Sequence, residues 1–233
     1  MAFVQYKTGL IIGAGVGISA SLARLLSHEG VKVGLVARDA GKLVKLASET
    51  DALTFSADAA DPAAMTTLFE QVDDRLGQPD IVVYNPSARA HGSVADIDPA
   101  AVRDALAITA YGGFLAVQQA SRRMIPKGYG AILLTGASAS IKGFPLSSAF
   151  AMGKFALRGL AQSAARELGP KGIHVAHFVI DGAVRSASRP DPAERPDGTL
   201  SPDGIAQSYW SVLQQPRDAW SFEVDVRPWI ESF

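Results

Sequence analysis

Residues 7–30 read KTGLIIGAGVGISASLARLLSHEG, and this stretch decides the fold. A short apolar run is followed by three glycines at alternate positions: Gly13, Gly15 and Gly17. Apolar residues then recur at helical spacing. A strand, a glycine turn and a helix in this order are typical of a pyrophosphate site for a dinucleotide, because the backbone can approach closely and the helix N-terminus attracts negative charge. Ala20 stands where a full G-x-G-x-x-G would have its third glycine, and glycine clusters also serve as plain turns.

Length and composition favour a single domain over residues 1–233 with a small partner. The net charge is −1, from 22 basic and 23 acidic residues mixed along the chain, which predicts no nucleic-acid or membrane surface. The chain has no Cys, and its four His residues lack a metal-ligand spacing, so no disulfide, thiol nucleophile or metal site is expected. No apolar stretch reaches about 18 residues and no leader pattern is present, so we expect a soluble cytoplasmic protein.

Strand and helix patterns alternate along the chain. Strands are predicted at 9–12, 31–37, 53–56, 80–84, 130–134, 174–180 and 222–226. Helices are predicted from Ile18 and at 42–48, 62–76, 99–124, 147–168 and 205–213, and Pro126 is expected to stop the helix over 99–124. The alternation predicts an α/β fold with a doubly wound parallel seven-stranded sheet in the order 3-2-1-4-5-6-7. A mobile loop or lid is expected around 185–215, because proline and charge replace apolar periodicity over 185–203; a simple surface connection is the alternative.

Polar residues at strand ends predict how a dinucleotide is held. Arg38 directly follows the second strand, where its guanidinium could pair with a 2′-phosphate, so NADP is favoured over NAD. Asp39 weakens this preference, and both residues could be ordinary loop charges. Asp58 follows the third strand as an adenine contact or a plain loop carboxylate. Asn85 ends the fourth strand, where open α/β sheets bind ligands.

The whole pattern resembles the short-chain dehydrogenase/reductase family. Its glycine motif, T-G-x-x-x-G-x-G, is matched by residues 12–19, with Ile12 in place of the Thr and Ser19 in place of the last Gly. The resemblance implies a Rossmann-type fold, an NAD(P) cofactor and a homodimer or homotetramer. The implied cofactor-binding residues are Gly13, Gly15, Val16, Gly17, Ile18, Arg38, Asp58, Ala59, Asn85, Lys154 and Gly182.

The resemblance departs from the family at the catalytic positions. The family has a Tyr-x-x-x-Lys motif on the helix after strand five, and here it reads Phe150-x-x-x-Lys154. The Ser position falls on Ala137, with Ser138 beside it, and the Asn position falls near Ala110. In the family mechanism the Tyr hydroxyl transfers a proton while a hydride passes to or from the nicotinamide. Phe150 has no such proton.

Three hypotheses follow. The first is an NAD(P)-dependent oxidoreductase acting on a carbonyl or alcohol with another proton donor, for which Tyr111, Ser138 and His91 are candidates. The second is a catalytically silent NAD(P)-binding sensor or assembly subunit. The third is that Ser19 and Pro86 disturb the pocket so far that only an interaction module remains. In an oligomer, two long helices would pair through small residues: Gly112, Gly113, Ala116, Ala120, Ala151, Gly153 and Ala156.

Overall fold

A seven-stranded parallel sheet forms the centre of the computed structural model, which describes residues 5–231. Its strands run in the order β3-β2-β1-β4-β5-β6-β7, as predicted. The ends of the predicted 1–233 domain lie outside the described residues. The strands are β1 Thr8–Ile12, β2 Lys32–Ala37, β3 Leu53–Ser56, β4 Ile81–Tyr84, β5 Gly130–Thr135, β6 Ile173–Ile180 and β7 Glu223–Val226.

Helices cover both faces of the sheet. They are α1 Ile18–His28, α2 Val44–Thr50, α3 Pro62–Arg75, α4 Pro99–Leu106, α5 Gly112–Lys127, α6 Ser148–Leu168 and α7 Pro202–Leu213. On one face, α1, α2 and α7 bury Leu22, Leu46 and Tyr209. On the other face, α3, α5 and α6 bury Phe69, Ala116 and Leu157. The two apolar layers confirm the doubly wound architecture.

The helix predicted over 99–124 extends further and changes its pitch. A π-helical turn, Ala107–Tyr111, joins α4 to α5, and α5 continues through Pro126 to Lys127. The predicted stop at Pro126 was therefore wrong. A proline removes only one helix donor, its own backbone N–H. In the last helical turn, the N–H groups of the residues after it can still donate to helix carbonyl oxygens. Gly128 closes it, with φ of 67° and its N–H donating to the carbonyl oxygens of Met124 and Ile125.

This continuous helix, Pro99–Lys127, is long and apolar enough to cross a membrane by length and composition alone, with a mean hydropathy of 1.3. Within the protein its inner face lies on the sheet, where Leu115, Ala120 and Met124 are buried. Core helices of soluble proteins have the same composition, and packing against the sheet accounts for the 39% of this helix window that is buried.

The region predicted as a lid contains two kinds of structure. Its second half is α7, which buries Ile205, Tyr209 and Leu213 against the core beside α1. Its first half has no helix or strand beyond isolated bridges, Val184 to Leu200 and Ser186 to Arg189. The segment without a helix or strand is therefore limited to about 185–201, and a mobile lid there stays a prediction.

Candidate functional site

The glycine turn between β1 and α1 leaves room for a ligand. Gly13 has φ of +79°, and a Cβ there would lie 2.7 Å from the backbone nitrogen of Pro86. A Cβ at Gly15 or Gly17 would meet no described atom within 4 Å. No side chain of the described residues caps the N-terminus of α1 at Gly17. Its first amides and dipole thus face a space that glycines keep open, which fits a diphosphate.

Ser19 occupies the position of the family's last glycine without filling this space. Its side chain is buried, and its hydroxyl donates to the carbonyl oxygen of Gly13 at 3.1 Å. The amide Nδ2 of Asn85 donates to the same hydroxyl at 2.7 Å. Ser19 therefore connects the glycine turn to the carboxyl end of β4. The third hypothesis required that Ser19 disturb the pocket, and this geometry disfavours it.

The larger cavity, about 850 Å³, extends from the glycine turn along the carboxyl ends of β1, β2 and β3. Of the predicted cofactor residues it is lined by Gly13, Gly15, Val16, Arg38, Asp58, Ala59 and Asn85. Lys42 and Lys45 also line it. A volume of this size is large enough to hold one of the two nucleotides of a dinucleotide.

The acidic residue next to Arg38 is engaged by other groups. The carboxylate of Asp39 accepts the N–H of Gly41 at 3.0 Å, which begins the 3-10 turn Ala40–Leu43, and lies 3.7 Å from the Lys42 amine. Asp39 is thus engaged locally. Asp58 accepts the N–H of Ala60 at 2.9 Å, as a loop carboxylate does, and still lines the cavity.

The smaller cavity, about 330 Å³, lies where β4, β5 and β6 end. It is lined by Phe150, Lys154, Ser138, Ala137, Ile18 and Gly182, among others. Asn85 and Ser87 line both cavities, so the two form one crevice. This crevice crosses the reversal of strand order between β1 and β4, the usual ligand site of open α/β sheets.

Lys154 and Phe150 lie one turn apart on α6 and face the same cavity. The Lys154 side chain is 2% exposed, and its amine donates to the carbonyl oxygen of Thr135 at 2.6 Å. Burial, with a smaller contribution from the positive charge of Arg89, lowers the pKa of the Lys154 amine to about 7. Phe150 is 8% exposed, with the Lys154 amine 5.9 Å from its ring centre.

Several predicted residues lie elsewhere. Tyr111, on the π-helical turn, is 46% exposed and stacks on Phe114 with ring centres 6.3 Å apart, and it lines neither cavity. His91 is exposed and also lines neither. Gly17 lies at the helix start but outside both linings. Of the three candidate proton donors, only Ser138 faces the crevice.

Sequence reasoning missed two arginines that line the smaller cavity, Arg89 and Arg189. The guanidinium carbon of Arg89 lies 4.1 Å from the centre of the Phe150 ring. Arg89 follows β4 by five residues, so a search for charged residues beyond Asn85 would have found it. Arg189 lies in the irregular segment, whose path the sequence pattern does not specify. Within residues 5–231, no cluster of three or more His, Cys, Asp or Glu residues is placed to hold a metal.

Comparisons with known proteins agree with this geometry. The family model for short chain dehydrogenase matches residues 7–192. A versicolorin reductase of Emericella nidulans is 31% identical over 187 residues, which are 77% of this chain and 70% of that protein. The crystal structure of a short-chain dehydrogenase from Rhodopseudomonas palustris is 32% identical with a TM-score of 0.81, covering 96% of this chain and 99% of the other.

A metagenomic short-chain oxidoreductase crystallised in complex with NADP is 25% identical, with a TM-score of 0.83 and coverage of 95% of this chain and 97% of the other. The family match spans β1 to the segment after β6 and therefore includes both cavities. The glycine turn, the crevice and these similarities lead to one conclusion: the chain belongs to the short-chain dehydrogenase family of NAD(P)-dependent oxidoreductases.

Proposed function

We propose that the protein is an NADP(H)-dependent oxidoreductase that interconverts a carbonyl compound and its alcohol, with Lys154 replacing the missing tyrosine as proton donor. The observation that carries the proposal is the single crevice that joins the glycine turn to the Lys154 amine through Asn85 and Ser87. A bound nicotinamide coenzyme would supply or accept a hydride at the end of this crevice. The chain must then hold the coenzyme and supply the proton.

The glycine turn and the cations hold the coenzyme in this proposal. Amides at the start of α1 bind the diphosphate, because no described side chain caps them. Arg38 and Lys42 bind a 2′-phosphate at the far end of the larger cavity. The engagement of Asp39 by Gly41 supports this preference for NADP over NAD.

Lys154 supplies the proton. Its ammonium group lies in the smaller cavity, and a pKa of about 7 lets it donate to a carbonyl oxygen and regain a proton near neutral pH. In the reduction a hydride adds to the carbonyl carbon, one Lys154 N–H bond breaks, and the proton forms the new O–H bond. Water then returns a proton to the amine. Ser138, which lines the same cavity, polarises the carbonyl by hydrogen bonding.

The test begins with separate titrations of NADPH and NADH by fluorescence, followed by a screen of aldehydes and ketones. Saturable NADPH binding with turnover by the wild-type protein is the expected result. The pH profile of kcat should show an acidic group near pH 7 in the reduction. Absence of saturable binding by either coenzyme contradicts the proposal at its first step.

Phe150 itself supports a second candidate, a silent NAD(P)-binding subunit, because it presents a ring with no titratable proton to the cavity. The variant Phe150→Tyr separates the two. If the wild type binds NADPH but turns over no carbonyl while Phe150→Tyr does, the silent reading is correct. If both are active, the oxidoreductase proposal stands.

We also propose a cytoplasmic homodimer or homotetramer, formed through the exposed faces of α4–α5 and α6. Large apolar side chains stand out from these faces: Tyr111, Phe114, Met152 and Phe155. The small residues expected at this contact serve partly inside the subunit, since a Cβ at Gly113 would lie 2.5 Å from Leu157 and one at Gly153 would lie 3.0 Å from Thr109. Light scattering of the wild type and of Phe155→Glu tests the contact, with a monomer expected for the variant.

A further inference from the structure

The smaller cavity has an unbalanced positive charge. Three charged side chains line it, Arg89, Lys154 and Arg189, and all three are cationic. Within residues 5–231, no Asp or Glu lines it. Asp181 lies beside its wall, but this carboxylate is buried and faces the guanidinium of Arg227 at 3.6 Å.

Arg89 is held where its N–H groups can meet a ligand. Its guanidinium carbon lies 4.1 Å from the centre of the Phe150 ring, a cation–π distance. A guanidinium in contact with a ring uses none of its N–H groups as hydrogen-bond donors to a polar partner, so they remain available to a ligand. Within the described residues, the Arg89 side chain has no ion pair and no hydrogen bond. Its charge is therefore available to a ligand.

Arg189 is presented by a small turn in the segment after β6. The backbone N–H of Ser186 donates to the carbonyl oxygen of Arg189 at 2.9 Å, and the N–H of Arg189 donates back at 3.0 Å. The base of the turn is fixed by Arg185, whose guanidinium lies 2.5 Å from the carboxylate of Asp191. Arg185 is thus neutralised, whereas the Arg189 side chain has no acidic partner in the described part of the chain.

Like charges gathered in a small cavity repel one another. After burial, the positive charge of Arg89 is the second cause that lowers the pKa of the Lys154 amine, because a nearby like charge disfavours the ammonium form. A neutral ligand leaves this repulsion in place, whereas a carboxylate relieves it and offers two oxygens to an arginine fork. The cavity volume of about 330 Å³ suits a molecule of the size of a benzoate.

We infer that the substrate is an anion, a carboxylate-bearing aldehyde or ketone whose acid group binds Arg89 and Arg189 while its carbonyl oxygen lies at Lys154. The inference rests on the proposed function and specifies its substrate class. The coenzyme diphosphate does not account for these arginines, since it belongs with Gly13, Gly15 and Val16 in the larger cavity, whose lining includes neither arginine.

The experiment compares 4-carboxybenzaldehyde with its methyl ester, methyl 4-formylbenzoate, at saturating NADPH. Both carry the same reacting group and differ in charge. The acid should be preferred about tenfold or more in kcat/KM, the size expected for a charge-assisted pair. Arg89→Gln and Arg189→Gln should each lower kcat/KM for the acid about tenfold, mainly through KM, and leave the ester within about twofold. Equal turnover of acid and ester by the wild type overturns the inference.

Two controls separate charge from packing. Arg122→Gln removes the same charge from an exposed position on α5 and should leave both substrates unchanged. Arg89→Lys keeps the charge and should retain more of the acid preference than Arg89→Gln. If the arginine variants affect acid and ester alike, the side chains act by packing. If Arg189→Gln weakens NADPH binding instead, the cation serves the coenzyme. Either result overturns the inference.

Calorimetry on the coenzyme-free protein distinguishes this inference from the proposed function. Benzoate and benzamide are the probes, because they differ in charge and need no turnover. Selective binding of benzoate that is lost in Arg89→Gln, without turnover of any carbonyl, supports the anion site and removes the oxidoreductase proposal. Turnover of carbonyl compounds without a preference for the acid supports the oxidoreductase proposal and overturns the anion site. Failure of benzoate to bind counts against the anion site in either case.

Discussion

The two halves of the crevice depart from the family's motifs in different ways. In the coenzyme half, Ile12 and Ser19 replace two residues of the family's glycine motif, yet the open turn and the uncapped helix start remain. In the catalytic half, the positions that the family resemblance gives to Tyr and Ser hold Phe150 and Ala137, and a phenyl ring has no titratable proton. Backbone amides make most of the expected contacts to the diphosphate in the coenzyme half, so many side chains are compatible with those contacts. Proton transfer depends on a single titratable atom, so one substitution changes the chemistry.

Removal of the Lys154 amine tests whether the catalytic half depends on one titratable group. We expect Lys154→Met to lower kcat by about a hundredfold or more, because a general acid contributes roughly a hundredfold to ten-thousandfold. The limb near pH 7 in the kcat profile should disappear as well. Steady-state kinetics across pH, with NADPH affinity measured separately, check both effects.

Lys154→Arg is the matched variant, since it keeps the charge but cannot release a proton near neutral pH. If Lys154→Arg retains wild-type kcat and the same pH profile, Lys154 is not the acid. Its role would then be limited to orienting the coenzyme.

The same contrast explains what the sequence could predict. Strand order, the glycine turn and the place of Lys154 follow from local patterns, because periodicity and turn chemistry act within a few residues. The departures at Phe150 and Ser19 are also visible in the sequence. The structure was needed to show that Asn85 donates to Ser19 and that Arg89 lies over the Phe150 ring, because each of these contacts joins segments far apart in the chain.

Errors came where tertiary packing overrode a local signal. Tyr111 was a candidate proton donor because it lies near the family's Asn position in the sequence. The π-helical turn leaves its ring outside the crevice. Pro126 predicted a helix end, and Gly128 provided it instead. The irregular segment at 185–201 has no periodicity to read, so the contribution of Arg189 to the cavity could not be anticipated.

Acid titration provides the next test, since His177 supports the floor of the catalytic half beside Gly136. The His177 side chain is fully buried, and Nδ1 lies 3.0 Å from the Glu223 carboxylate. Burial lowers the pKa of His177 from 6.5 to about 4. Between pH 6.5 and about pH 4, His177 is protonated in the unfolded chain but neutral in the folded protein. The free energy of unfolding should therefore fall as the pH drops from 6.5 to 4, by about 3 kcal/mol at about 1.4 kcal/mol per unit.

Urea denaturation of wild type and His177→Asn over this range isolates the effect. The variant starts from a different stability, so the slope with pH is the quantity to compare. The variant should lose less stability on acidification. Identical slopes would show that other groups are responsible, such as His174, whose pKa burial also lowers.

Gly13 and Gly15 test the claim that the coenzyme half depends on backbone. Gly13→Ala places a Cβ at φ of +79° and 2.7 Å from the Pro86 nitrogen, so we expect a loss of about 2 kcal/mol in folding stability. Gly15→Ala meets open space in the protein and should change stability much less. It should nevertheless weaken NADPH binding, because its methyl group projects where a ligand must approach.

Thermal denaturation and NADPH titration of both variants measure these effects. A Gly15→Ala protein with unchanged coenzyme affinity would show that the diphosphate lies away from this turn. Equal loss of stability in the two variants would contradict the steric difference between the two positions.

The smallest expected effect belongs to Arg38, because its exposed side chain acts through solvent-screened charge. Arg38→Gln should weaken NADPH binding about tenfold and leave NADH binding within about twofold, since only NADPH carries the 2′-phosphate. Fluorescence titrations at two salt concentrations measure both affinities, and the loss should shrink at high salt. Arg24→Gln is the matched control, because Arg24 lines the same cavity but already pairs with Glu49 at 2.7 Å. If Arg38→Gln weakens both coenzymes equally, Arg38 contacts a part that they share, and the preference for NADP has to come from Lys42 or Lys45 instead.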